Sequence, residues 1–205
     1  MISLLSKILA LHIRKKMIHE VIVTTISKTD IVHIAPMGIR FLDQQIIISP
    51  FKPSQTLDNI LDNNIATINF IDDVRVFAGI VSRYKNDWEL SDRTSSEKVP
   101  NLLNTNTFYN VAVSEFRDDE KRPDIICDVK DTGVLKPFLG FNRAQFSVIE
   151  AAVLISRLGM IPMEKINQEI DYLKIGIDKT AGPREHEAWD WIQKKISSYK
   201  KGLKS

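Results

Sequence analysis

Ser49-Pro50-Phe51-Lys52-Pro53-Ser54-Gln55-Thr56 joins an apolar strand to a helix, and this junction decides the fold. The N-terminus of a helix presents unpaired backbone N–H groups and a partial positive charge of roughly +0.5. Lys52, Ser54 and Thr56 add a cation and two hydroxyl groups, so the junction suits a dianionic phosphate. The alternative interpretation is that Ser54 or Thr56 only caps a surface helix.

Three antiparallel strands are predicted before this junction. The segment 18–26 is rich in β-branched residues, which favour strands. Ile31 begins a return strand that continues past Pro36-Met37-Gly38-Ile39, and residues 46–49 form the third strand. Short polar turns separate the three strands, which is typical of a meander.

The chain after the junction predicts further strands and then helices. In order we expect a helix at 56–63, a strand at 65–70, an extended or mixed segment at 74–82, a long polar surface excursion at 86–107, strands at 108–116 and 125–129, and helices at 144–158, 162–173 and 185–199. The fold class is therefore α+β, an antiparallel β-barrel of six or seven strands with a C-terminal helical subdomain. We expect the barrel at 17–139, the helical subdomain at 140–205 and an N-terminal appendage at 1–16.

Composition excludes several classes of protein. The net charge of +2 over 205 residues argues against a dedicated nucleic-acid binder. Cys127 is the single cysteine, which excludes an intrachain disulfide and fits a buried thiol in a cytoplasmic protein. In the first 16 residues the basic side chains follow the apolar run, unlike a secretory signal, and the run is too short to span a bilayer. We therefore expect no membrane partner.

The common catalytic motifs are missing from the sequence. Its four histidines form no metal-spaced pair with a cysteine or an acidic cluster, so we predict no metal site. A Walker-type loop and a dinucleotide fingerprint are also absent. No catalytic acid, base or nucleophile is assigned.

Two further clusters suit a flat ligand with polar edges. At Pro36-Met37-Gly38-Ile39 an interrupted edge strand offers backbone groups, and Gly38 allows close approach; the alternative is a simple β-bulge. At Gly140-Phe141-Asn142-Arg143-Ala144 a helix begins. Asn142 is suited to capping this helix, and Arg143 is suited to an anion or a ring oxygen. Together with the junction, the clusters point to an aromatic ring system that carries a phosphate.

These stretches resemble the FMN-binding split barrels related to pyridoxamine phosphate oxidase. Residues 18–196 are similar to a little-characterised family within that flavin-reductase-like superfamily. The matching stretches are Glu20–Thr25, Ala35–Gly38, Pro50–Asn59, Phe141–Ala144, Val148–Leu158 and Glu185–Ala188. The resemblance does not extend to residues 1–16, which are therefore expected to be an appendage.

The resemblance implies a homodimer that holds FMN in a groove at the subunit interface. Lys52, Ser54 and Thr56 would bind the phosphate, and the backbone of residues 36–39 would meet the isoalloxazine. The resemblance also places Asn69 and Phe70 beside the ring, with Asn142 and Arg143 closing the site from the helical subdomain.

One departure from the resemblance concerns the phosphate site. The oxidase uses several basic residues for its phosphate groups, whereas this loop carries only Lys52. The cofactor is therefore expected to bind more weakly or to use Arg40, Arg75 or Arg143 as well.

The resemblance further implies a flavin-dependent oxidoreductase of unnamed substrate, linked to one-carbon metabolism through a methanopterin-type coenzyme. Two alternatives stay open: a non-catalytic module that holds a flavin or another ligand, and a split barrel that uses a deazaflavin or haem.

Overall fold

The computed structural model describes residues 17–92 and 99–202, so the expected appendage at 1–16 lies outside the described residues. Within these ranges the chain forms two compact units. The barrel unit contains the chain up to Phe70 together with Leu90–Asn101 and Thr107–Leu135. The helical unit contains Ile71–Glu89, Leu102–Asn106 and the chain from Lys136 onward, so the two units alternate along the sequence.

The barrel is closed and antiparallel, as predicted, and the described residues supply six strands. They are β1 (His19–Ile26), β2 (Val32–Leu42), β3 (Gln45–Ile48), β4 (Ile65–Phe70), β5 (Thr107–Arg117) and β6 (Asp124–Val134). The strands are ordered β1-β2-β3-β6-β5-β4 around the barrel, and β4 pairs with β1 to close it. Val21 and Val23 of β1 and Ile46 and Ile48 of β3 share one buried core cluster, so every second residue of these strands faces the interior.

Helix α1 (Gln55–Asn63) closes one end of the barrel. Leu57 and Ile60 are buried in the same core cluster as Val21 and Val23 of β1. The buried amide of Asn59 donates a hydrogen bond of 2.9 Å to the hydroxyl of Thr25. Leu57 and Ile60 therefore meet the barrel core, whereas Leu61 beside them is 44% exposed.

The segment predicted as extended or mixed at 74–82 is helix α2 (Arg75–Ser82) in the structure, which corrects that prediction. A short apolar run fits a buried strand and a buried helix equally well from sequence. The structure resolves the ambiguity because Val74 and Ala78, one helical turn apart, are buried together in the core of the helical unit.

Three longer helices complete the helical unit, as predicted: α3 (Arg143–Ser156), α4 (Met163–Thr180) and α5 (Pro183–Gly202). Their buried side chains form one core that includes Val148, Ile170 and Ile192. Helix α4 passes close to α3 at Gly176, where an added Cβ atom would lie 2.4 Å from the hydroxyl oxygen of Ser147. A side chain at this crossing would force Ser147 or one of the two helices to shift.

The prediction of a surface excursion at 86–107 is wrong for the last part of that segment. Val99 and Leu102 are 4% and 0% exposed, respectively. Hydroxyl groups of Thr24 and Thr67 donate to the carbonyl oxygens of Pro100 and Val99 at 2.7 and 2.8 Å. The polar composition predicts a solvent-exposed loop. In the structure, however, these backbone carbonyl groups accept hydrogen bonds from side chains of the barrel wall. Residues 93–98 lie outside the described part of the chain.

Candidate functional site

One edge of β2 is open in the region that the sequence singled out. Residues 32–39 of β2 pair with β1 in continuous register, including the pairs Ile22 with Pro36 and Glu20 with Gly38. This continuity excludes a β-bulge at Pro36–Ile39. Pairing of β2 with β3 begins only at Ile39, so no described strand covers the other edge of residues 32–38. That edge offers the backbone groups that a planar polar ligand needs.

Side chains of this segment alternate between the two faces of the barrel wall. Ile39 is buried in the core, and Met37 packs against it. Pro36 and Gly38 consequently face outward. A Cβ atom built on Gly38 would lie 2.7 Å from the Cγ2 atom of Ile18, so the space above this glycine is filled by Ile18. Packing against Ile18 is therefore one reason for a glycine here.

Ser54 caps helix α1. Its backbone is extended, with φ of −154°, and its hydroxyl accepts a hydrogen bond of 3.2 Å from the N–H of Leu57. The capping interpretation is thus confirmed, and it leaves the hydroxyl hydrogen of Ser54 able to donate to an anion. Ser54 is half-buried, whereas Thr56 is 1% exposed in the first turn, so Ser54 is the more accessible hydroxyl.

The cation of this loop already has a partner. The Nζ atom of Lys52 lies 2.5 Å from the Oδ1 atom of Asp118 in the turn between β5 and β6. The hydrogen bond from Lys52 holds the pKa of Asp118 below its usual value. A phosphate at Ser54 would therefore share Lys52 with a carboxylate.

A buried polar cluster lies where the loop leaves β3. Arg40 forms an ion pair of 2.7 Å with Asp124, and the hydroxyl of Ser49 donates to the same carboxylate at 2.5 Å. Arg40 also donates to the hydroxyl of Ser49. All three residues are less than one-tenth exposed. Sequence reasoning missed this cluster, although a charged residue within an apolar strand, as at Arg40, signals a buried partner.

Asn69 and Phe70 belong to the wall of the barrel. Asn69 is fully buried, and its amide donates to the carbonyl oxygen of Ile22 at 3.1 Å. Phe70 is half-buried, stacks on Phe41 at a centroid distance of 6.2 Å and meets the ring of Tyr109 edge-on at 5.0 Å. The amide of Asn69 is thus engaged with the backbone of β1.

Asn142 and Arg143 lie at the start of α3 in the helical unit. The side chain of Asn142 accepts from the N–H of Ala144 at 2.7 Å and donates to the carbonyl oxygen of Thr180 at 3.0 Å. The predicted cap is therefore confirmed. Arg143 is exposed and has no ion-pair partner in the described part of the chain. Closure of a flavin site by these two residues stays a prediction.

Of the other arginines considered for the phosphate, Arg40 and Arg75 are both engaged in ion pairs. Arg40 binds Asp124, as described above. Arg75 binds Asp73 at 2.7 Å and Glu187 at 3.0 Å within the helical unit. Neither guanidinium is available without breaking a contact.

The thiol of Cys127 is not an available nucleophile. Burial raises the pKa of the Cys127 thiol to about 12, and the nearby charge of Asp128 acts in the same direction. This thiol is therefore protonated and inert at neutral pH, as expected from the sequence. Burial also lowers the pKa of His33.

Residues 17–92 and 99–202 lack two kinds of feature. They contain no group of three His, Cys, Asp or Glu side chains arranged to hold a metal ion. They also contain no helix with the length and apolar character needed to cross a bilayer.

Comparison with known proteins gives matches along most of the chain. The family model described as the N-terminal domain of a protein of unknown function, DUF447, matches residues 19–136. A second DUF447 model matches residues 142–194. The uncharacterised protein MJ1453 of Methanocaldococcus jannaschii is 26% identical over 187 residues, which cover 83% of this chain and 93% of that protein.

A solved structure shares the fold. The crystal structure of the FMN-bound protein MM1853 from Methanosarcina mazei, assigned to DUF447, superposes with a TM-score of 0.74. The superposition covers 91% of this chain and 99% of that one, at 21% sequence identity.

Proposed function

The chain belongs to the DUF447 family, and from this membership we propose that it is a flavoprotein that binds FMN on the outer face of its barrel. The observation that carries the proposal is the superposition, over 91% of the chain, on a family member crystallised with FMN. Membership supplies the ligand class, and the geometry of β2 and α1 supplies a place that fits it.

The phosphate of FMN is proposed to bind at the N-terminus of α1. Ser54 presents a hydroxyl at the capping position, and the first-turn N–H groups carry the positive end of the helix dipole. Lys52 adds a cation within the same loop, and Thr56 adds a recessed hydroxyl. The helix N-terminus supplies a part of the favourable field that no carboxylate neutralises, whereas the charge of Lys52 is shared with Asp118.

The isoalloxazine is proposed to lie along the open edge of β2 at residues 36–38, since Ile39 is paired with β3 and buried in the core. Backbone N–H and C=O groups on this edge have no described strand partner, so they can satisfy the polar rim of the ring. Asn69 and Phe70 support the neighbouring wall through the contacts already described. FMN itself supplies the redox chemistry when bound, while the protein positions it and excludes water.

A second copy of the chain is the proposed partner. In the helical unit Phe138, Leu139 and Phe141 are 61%, 85% and 101% exposed. The rings of Phe138 and Phe141 contact each other at a centroid distance of 5.3 Å, so the exposed apolar surface is continuous. A homodimer that covers this run would also allow Asn142 and Arg143 to close the flavin site across the interface.

Sedimentation velocity tests the dimer. Phe141→Ser is expected to shift the population to monomer without unfolding it, because Phe141 is fully exposed in the single chain. Met160→Ser provides the control, since Met160 is 82% exposed in the same unit but outside the run. A monomeric wild-type protein would refute the dimer proposal.

The proposed activity is flavin-dependent oxidation and reduction. A more specific version of the proposal, implied by the resemblance, is that the substrate is a methanopterin-type coenzyme of one-carbon metabolism. Purified protein is expected to be yellow and to release FMN identified by mass spectrometry. Bound FMN is expected to be reduced by NADH, NADPH or a reduced deazaflavin. Reduction by a tetrahydromethanopterin derivative would test the more specific proposal of a methanopterin-type substrate.

Three results would change this assignment. A colourless protein that takes up no added FMN would refute the proposal. Extraction of a deazaflavin or haem would replace the cofactor. Bound FMN that none of the donors reduces would favour a non-catalytic binding module.

A further inference from the structure

We propose that a buried cluster on the barrel wall positions the loop that receives the phosphate and thereby sets the preference for FMN over riboflavin. The cluster, called the loop clamp, consists of Arg40, Ser49, Arg122 and Asp124. The loop it holds is residues 50–54. This inference rests on the proposed function, because it assigns positioning residues to the proposed phosphate site.

The clamp holds the side chain of Ser49 from two sides. Its hydroxyl donates to Asp124 at 2.5 Å and accepts a hydrogen bond from Arg40. Arg40 and Asp124 are themselves paired at 2.7 Å and are 6% and 7% exposed. The last residue before the loop is thus fixed by charge-assisted hydrogen bonds shielded from water.

The clamp also holds the backbone at the same point. The Nε atom of Arg122 donates to the carbonyl oxygen of Ser49 at 2.8 Å, and its guanidinium lies 4.8 Å from the ring centroid of Phe51. One residue later the N–H of Lys52 donates to the carbonyl oxygen of Lys121 at 2.9 Å. The first part of the loop, up to Lys52, is therefore fastened to the turn between β5 and β6.

Fixing this loop affects the phosphate site because its other end is Ser54. Ser54 begins α1, and α1 is anchored in the barrel core by Leu57 and Ile60. With both ends held, the backbone of residues 50–54 has a defined conformation before a ligand arrives. Preorganisation of this kind lowers the entropy cost of binding a phosphate.

A purely stabilising role explains the clamp less well. Burial of an ion pair costs desolvation energy, and apolar side chains of similar volume usually stabilise a fold at least as well. Asp124 and Arg40 lie on different strands, 84 residues apart, and both converge on the first residue of this junction. A pair that specifies one loop conformation accounts for this convergence.

The test compares FMN with riboflavin, which lacks the phosphate. Ser49→Ala removes the hydroxyl but leaves the ion pair between Arg40 and Asp124 in place. We expect the Kd for FMN, measured by quenching of flavin fluorescence in the full-length protein, to rise about tenfold while the Kd for riboflavin changes less than about twofold. Ser114→Ala is the matched control, since it removes a β5 hydroxyl bonded to Ile126 and Gln45 rather than to the loop.

A second variant keeps the inference testable if Ser49→Ala fails to fold. Arg122→Gln removes the contacts of the guanidinium with the Ser49 carbonyl and the Phe51 ring but disturbs no buried ion pair. It is expected to show the same selective loss of FMN affinity, with an unchanged far-UV spectrum.

The outcomes separate this inference from the function on which it rests. Equal weakening of both flavins by Ser49→Ala and Arg122→Gln, or no weakening by either, would overturn the positioning role while leaving FMN binding intact. Wild-type protein that binds riboflavin as tightly as FMN would also overturn it. Wild-type protein that binds neither flavin would refute the proposed function as well.

Discussion

The ammonium group of Lys52 lies 2.5 Å from the carboxylate of Asp118, so the only cation of the loop at the start of α1 is paired with the turn between β5 and β6. The side chains are 33% and 67% exposed, which makes this a surface pair that exchanges readily with solvent. In the proposed site this pair lowers the affinity for the phosphate, because the Asp118 carboxylate competes with the phosphate for Lys52 and also repels the phosphate.

Replacing Asp118 by Asn is therefore expected to strengthen FMN binding. The hydrogen bond from Lys52 holds the pKa of Asp118 below its usual value, so the carboxylate is charged at neutral pH and its removal matters there. We expect the Kd for FMN to fall about two- to fivefold at low salt, and the gain to shrink at high salt. Asp128→Asn, which removes a carboxylate paired with Lys130, is the control and is expected to leave the Kd unchanged. Weaker FMN binding in Asp118→Asn would contradict this account.

Two substitutions of Ser54 are expected to separate its role in helix capping from its role in phosphate binding. Asp is as good an N-cap as Ser, so Ser54→Asp is expected to keep the free energy of unfolding within about 0.5 kcal/mol of wild type, whereas Ser54→Ala is expected to lose about 1 kcal/mol. The added carboxylate would repel a phosphate at α1, so FMN affinity is expected to fall about a hundredfold or more in Ser54→Asp. Riboflavin affinity is expected to change little. Chemical denaturation and flavin titration measure the two effects, and unchanged FMN affinity would show that the phosphate binds elsewhere.

Asp73 is expected to make the helical unit sensitive to acid. Burial raises the pKa of this carboxyl, but hydrogen bonds from Arg75 and Asn104 and the charges of Arg75 and Arg184 outweigh burial and hold the pKa below its usual value. A depressed pKa in the folded state contributes stability above the unfolded pKa, about 3.9, and loses it as pH falls through the folded pKa.

Asp73→Asn is thus expected to lower the free energy of unfolding by about 2 kcal/mol at pH 7. The difference from wild type is expected to stay constant down to about pH 5 and to shrink progressively as the pH falls from about 4 through the folded pKa of Asp73. Urea denaturation across this pH range measures it. Asp190→Asn, which removes an exposed pair with Lys194, provides the control and is expected to change stability little at any pH. A difference that does not shrink at all between pH 5 and pH 3 would mean that the Asp73 carboxylate is not the group responsible.

The barrel was predictable because each strand carries its own signal. β4 was placed at residues 65–70 from β-branched and aromatic residues alone, and the structure gives Ile65–Phe70. α2 was missed because a segment of eight residues is as short as a strand, so its length does not distinguish a helix from a strand. The start of α1 was predicted because capping is local, set by Ser54 and the three residues after it.

The loop clamp was not predictable, since it depends on strand register rather than on local sequence. Arg40 and Asp124 meet only because β3 pairs with β2 on one side and with β6 on the other. No spacing rule connects residues 84 positions apart in a single sequence. The open edge of β2 could likewise not be predicted from the sequence, because it depends on the residue at which pairing with β3 begins.

Gly176 is expected to be essential for the packing of α3 against α4. A Cβ atom at this position would lie 2.4 Å from the hydroxyl oxygen of Ser147 and 3.1 Å from the backbone oxygen of Arg143. Gly176→Ala would favour α4 by about 1 kcal/mol in helix propensity, but overpacking costs about 1–3 kcal/mol and here the backbone is one of the obstacles. We therefore expect a lower melting temperature despite the better helix former.

The double variant Gly176→Ala, Ser147→Ala tests the geometry directly. It removes the contact at 2.4 Å and leaves the contact with the Arg143 backbone, so it is expected to restore part of the lost stability. Gly202→Ala is the matched control, because a Cβ atom there meets nothing within 4 Å. Thermal unfolding followed by circular dichroism measures all three variants. Wild-type stability in Gly176→Ala would mean that α3 and α4 separate at little cost, and complete rescue would mean that the backbone of Arg143 yields to the new methyl group.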